Sequence, residues 1–78
     1  MSNLIDFEAA YEKIDPTIIE AIINTRRDEV YSPGMVFQFI ASLANHTFEE
    51  VLKVDATSED VLELAHLIWN KTAPEVVE

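Results

Sequence analysis

The sequence has no cysteine, a single glycine and three prolines in its 78 residues. Without cysteine there is no disulfide, and two histidines alone cannot build a structural zinc site of the usual thiolate or mixed type. A fold made from this chain is therefore held together by packing. Zero cysteine also fits a reducing compartment. The lone glycine, Gly34, excludes a glycine-rich phosphate loop and a dinucleotide fingerprint. Basic residues are scarce too: five stand against fifteen acids, for a formal net charge of −10. Such a surface repels nucleic acid and anionic membrane and attracts basic partners. Long apolar runs are missing. The uncharged stretch Ser32 to Asn45 is shorter than the ~20 residues needed to span a bilayer. The start, Met1-Ser2-Asn3-Leu4-Ile5-Asp6, lacks the basic opening and apolar run of a signal peptide. A soluble, cytoplasmic chain is the expectation. Asn45-His46-Thr47 and Asn70-Lys71-Thr72 then read as chance matches to the glycosylation acceptor pattern.

What is present is apolar material, 49% of the residues, enough to exclude disorder despite the charge. A chain of this size buries only ~60–65% of its unfolded surface, so its stability is marginal without help. Dense helix packing or self-association would supply that help.

Helix signals run from end to end. Phe7, Ala10, Tyr11 and Ile14 fall at i, i+3, i+4 and i+7 on one face of a first helix. Asp15-Pro16 then supplies an N-cap and a proline at the first helical position. The spacing predicts a second helix to about Val30 with Ile18, Ile19, Ile22 and Ile23 inward. Ser32-Pro33 repeats the device and opens a third helix to about Asn45. Thr47-Phe48-Glu49-Glu50 matches a capping box for a short fourth helix with Phe48, Val51 and Leu52 inward. Asp55-Ala56-Thr57-Ser58 is a turn and fresh cap, with Glu59 and Asp60 where the helix dipole favours acids. The fifth helix runs from near Ser58 to about Asn70, with Val61, Leu62, Leu64, Ala65, Ile68 and Trp69 as its core face. Residues 72–78 read as a loose tail. The predicted fold is all-α, one small domain over residues 1–78 with four or five short helices.

Charge is uneven. Residues 1–31 carry seven acids and three bases, residues 46–78 carry eight acids and two bases, and residues 32–45 carry none. The third helix is thus either the buried centre of the fold or an apolar face hidden by a partner. A helix apolar nearly all round is normally buried, and Phe39, Ile40 and Leu43 are predicted as core.

No catalytic, cofactor-binding or metal-ligating set emerges. None of the four serines sits in a nucleophile-elbow setting, and the carboxylates look like solvated helix faces. A non-enzymatic protein without cofactor is the expectation. His66 falls one turn after Glu63 and reads as its solvated partner, and His46 reads as a helix C-terminal residue interacting with the dipole. Arg26 is odder, since it falls at the centre of an isoleucine face. It either snorkels, stem on the core and guanidinium in water, or pairs with an acid of a neighbouring helix.

Thr47-Phe48-Glu49-Glu50-Val51, followed by Ser58-Glu59-Asp60-Val61-Leu62-Glu63-Leu64-Ala65, resembles the C-terminal helices of phage tail-assembly chaperones. The likeness covers residues 47–69. It implies a small phage accessory or assembly protein that binds a partner chain, and no functional residue carries over from it.

Two functional classes follow. The first is a module that binds another protein, one with a basic surface, with Leu64, Leu67, Glu59, Asp60 and Glu63 as candidate contact residues. Leu67 lies off the inner arc of its helix with Leu64 beside it, which also suggests a homodimer through that face. The alternative is a nucleic-acid mimic that inhibits a DNA-binding protein, in an anti-restriction or anti-CRISPR manner. Glu8, Glu12, Glu20, Glu49, Glu50, Glu59, Asp60 and Glu63 would then imitate a row of phosphates, which lie at about one charge per ~1.7 Å of duplex axis.

Overall fold

The computed structural model describes residues 5–74. Among them are four α-helices, α1 (Phe7–Glu12), α2 (Pro16–Arg27), α3 (Pro33–His46) and α4 (Ser58–Lys71), a π-helical segment, Thr47–Leu52, and no strand. The all-α expectation holds. Each α-helix begins where a short polar side chain can accept an orphan amide. Asp6 caps α1 by accepting from Ala9, Asp15 caps α2 from Thr17, and Ser32 caps α3 from Met35. Pro16 and Pro33 follow their caps at the positions that need no N–H.

The capping box forms at Thr57, further along the chain than the Thr47 that the sequence suggests. Thr57 accepts from the Asp60 amide, and Asp60 accepts from the Thr57 amide. At Thr47 no box exists. Its hydroxyl donates to the Leu43 carbonyl at 2.8 Å, so α3 passes without a break into the wider π turns. His46 is consequently mid-helix, not at a free helix end. Thr47 and Phe48 are both buried, and Phe48 meets Phe7 edge to face at 6.3 Å between centroids.

Two helical segments stop without glycine. Glu29 takes φ 52° and Lys53 φ 55°. Around Glu29 the Val30 amide donates to Thr25 and the Glu29 amide to Arg26, a Schellman closure that ends α2 at Arg27 and not at Val30.

The core joins Ala10 and Ile14 to Ile22, to Val36, Ile40 and Ala44 on α3, to Phe48, and to Leu64, Ala65 and Ile68 on α4. Helices α3 and α4 share the most extensive contact, with α1 and the π segment closing over them. Helix α2 is the outlier: Ile22 is its one buried residue, and Ile18 and Ile19 pack only partly. Ile23, predicted inward, is half-buried. Thr72, expected in a loose tail, is fully buried. Of the rest of that tail, Ala73 is exposed and Pro74 half-buried, and 75–78 lie outside the described residues.

Candidate functional site

The charge-free helix α3 turns out to be divided lengthwise. Val36, Ile40 and Ala44 recur every fourth residue and face the core. One position round, Tyr31, Met35 and Phe39 are 55–57% exposed. Phe39, predicted as core, is thus a surface residue, and Leu43 is half-buried. Ile40 alone of the three is fully inside.

The exposed row forms one wall of a groove. Ile18, Ala21, Ile22 and Thr25 of α2 form the other, and Val36 lies at its base. Its volume is about 460 Å³. The only polar side-chain groups on its walls are the hydroxyls of Thr25 and Tyr31. No carboxylate, imidazole, ammonium or guanidinium lines it. Chemically, such a groove binds apolar surface and supplies no acid–base pair. The α2 wall contributes one fully buried residue, Ile22, and its contact with α3 is limited.

Beyond that wall, a second cleft of about 530 Å³ shares Tyr31 and Val36 with the groove and is bounded by Arg26, Glu29, Trp69 and Pro74. Here Arg26 follows neither expectation. Its Nη1 donates to the Trp69 carbonyl at 2.6 Å and to Thr72 Oγ1 at 3.1 Å, and its Cζ lies 3.6 Å from the Trp69 ring centroid. It caps the C-terminus of α4, where the helix dipole favours a cation. Burial pushes its pKa below the usual guanidinium value. Trp69 in turn meets Phe37 edge on at 5.7 Å, and Phe37 meets His66 at 5.1 Å. His66 therefore sits against an aromatic ring of α3 and makes no ion pair with Glu63.

The candidate contact residues of α4 do not form one surface. Leu64 is 0% exposed and belongs to the core. Leu67 is half-buried against it, because α1 lies along that side of α4: Lys71, one turn on, bridges to Glu8 at 3.2 Å and sits over Tyr11. The apolar residue that α4 exposes is Leu62, at 48%. Glu59 and Glu63 are exposed, whereas Asp60 is partly buried in the cap of its own helix. The site that sequence reasoning missed is the α2–α3 groove. Its signal was the stretch free of charge, which shows apolar character but not which side a neighbour leaves open.

Among the described residues no three metal-ligating side chains gather, and every buried side-chain polar atom has a hydrogen-bond partner. No described helix is long and apolar enough to cross a membrane. Comparisons with protein families, curated proteins and solved structures found no match to this chain.

Proposed function

We propose that this chain is a non-catalytic association module that works by binding protein surface, with the α2–α3 groove as its contact face. One observation carries the reading: Tyr31, Met35 and Phe39 stand more than half exposed beside a concavity with no charged wall. Single exposed apolar residues are ordinary, but a contiguous group of large ones beside a groove marks a contact site. Met35 adds a flexible side chain able to fit differing partners. The acidic remainder keeps the free chain soluble. An accessory or assembly role, as the resemblance to tail-assembly chaperones implies, fits this chemistry.

The nucleic-acid mimic needs a free row of carboxylates. Three of the eight candidate acids are engaged within the chain: Glu8 with Lys71, Glu49 with Asn45, and Asp60 with the Thr57 amide. The apolar groove has no part in such mimicry. Association through the groove is the better-supported reading.

A photoreactive benzophenone side chain placed at position 39, in the cell that makes this protein, tests it. The expected result is a small set of discrete protein adducts that fade when Met35→Lys is combined. The same label at Glu12, on exposed α1, should give none of them. No adduct from position 39, or identical adducts from both positions, overturns the reading.

A further inference from the structure

Resting on that contact face, we propose that its occupant is a second copy of this chain, packed about a two-fold axis with α3 against α3. Charge confines a second copy to this face. The protein carries −10 overall, so most approaches of two copies bring like charges together. Residues 32–45 are the exception, since they carry no charge. The nearby arginines add little: Arg26 is committed to the end of α4, and Arg27 pairs with Asp28 at 3.6 Å and with Asn24 at 2.7 Å. A basic partner would find no carboxylate on the groove walls to pair with. A second neutral, apolar face meets the groove with no charge left unpaired.

Shape agrees with charge. A two-fold contact must be self-complementary, so the same patch has to carry both projection and recess. This one does. Tyr31, Met35 and Phe39 project at intervals of four residues, and the groove runs immediately beside them between α2 and α3. With the axis passing near Met35 and the two α3 helices antiparallel, Phe39 of each copy comes opposite the Tyr31 end of the other. Each projecting row then enters the other copy's groove.

Size agrees as well. Aromatic side chains bury roughly 150–250 Å² each. Three large residues more than half exposed therefore offer roughly 300 Å² per copy, and Val30 with the α2 wall extends the patch. A specific interface needs about 1,000 Å² in total, or roughly 500 Å² from each side. The patch reaches that floor only if both walls take part, which places the interface on α2 and α3 together.

Sedimentation of the purified full chain at high micromolar concentration is the test. The expected species has twice the chain's 8.9 kDa mass. Raising the salt should strengthen it, because salt screens the repulsion between two acidic bodies while leaving apolar contact intact. Phe39→Lys enters a two-fold interface twice, so about tenfold at each site compounds to dimerisation roughly a hundredfold weaker. Its helical circular dichroism should be unchanged, because Phe39 lies outside the core. Leu62→Lys, on the exposed side of α4, should leave the dimer intact. A monomer at both low and physiological salt overturns the inference. So does a dimer that survives Phe39→Lys, or one that Leu62→Lys dissociates. If the chain is monomeric but position 39 still crosslinks to a protein of another mass, the contact face stands and only its occupant is wrong. If both signals are absent, the face itself is wrong.

Discussion

The Arg26 guanidinium lies 3.6 Å from the ring centroid of Trp69 and donates to that residue's own carbonyl at 2.6 Å. One side chain of α2 thereby covers the single tryptophan and satisfies an orphan carbonyl at the end of α4. Since α2 contributes only Ile22 to the buried core, this tie is a principal restraint on where α2 sits, and so on the width of the groove. Arg26→Ala should destabilise the fold by about 2 kcal/mol, from a charged hydrogen bond and a cation–π contact. That corresponds to a melting temperature roughly 8–16 °C lower for a domain of this size. Arg26→Lys should recover less than half, because an ammonium lacks the planar guanidinium that stacks on the Trp69 ring while its Nη1 reaches the Trp69 carbonyl. An unchanged melting temperature for Arg26→Ala refutes the restraint.

The two left-handed positions make the opposite kind of prediction. Glu29 and Lys53 hold φ values of 52° and 55°, where an L side chain costs roughly 1–2 kcal/mol relative to the right-handed helix. Glycine carries no such cost, and its greater freedom in the unfolded chain offsets part of the gain. Glu29→Gly and Lys53→Gly should each raise stability by about 0.5–1 kcal/mol in thermal or urea melts. A loss of stability in both would mean that these residues do not occupy that conformation.

These stops also show where the sequence was readable. Starts were legible because a cap is local: Asp15-Pro16 and Ser32-Pro33 act on amides two or three residues away. Glycine is the usual sign of a stop, and neither Glu29 nor Lys53 announces one, so periodicity alone carries α2 on to Val30. At Thr47 a valid local pattern lost to tertiary demand. Burying Phe48 against Phe7 keeps the chain helical through that point, and the threonine hydroxyl turns back to Leu43. On α4, Leu62 and Leu67 flank the core arc on opposite sides. Only the position of α1, tied by Lys71 to Glu8, decides which of them is covered. The groove was invisible for the same reason, because periodicity marks an apolar face and a neighbour decides whether it is filled.

The competing caps can be separated by stability. Thr57→Ala should cost about 1 kcal/mol by removing the acceptor for the Asp60 amide. Glu50→Ala should fall within about 0.5 kcal/mol of the parent, since Glu50 is exposed and closes no box. Denaturant midpoints at equal slope make the comparison. A large loss for Glu50→Ala with none for Thr57→Ala would return the capping box to Thr47.

The division of α3 into a buried and an exposed stripe rests on neighbouring residues with opposite expected behaviour. Ile40 is fully buried among Val36, Ala44 and the α4 residues, so Ile40→Ala leaves a cavity and should cost about 2–5 kcal/mol. A domain this small has little margin to absorb that loss. Phe39 is next in the chain but 55% exposed. In a chain diluted until monomeric, Phe39→Ala should change stability by no more than about 0.5 kcal/mol. At high concentration the proposed dimer predicts that the same substitution lowers the melting temperature, because a folded dimer gains stability by mass action and the proposal puts Phe39 in its contact. Melts of both variants at two concentrations therefore distinguish core from contact face. A large, concentration-independent loss for Phe39→Ala would put that residue back in the core and close the groove.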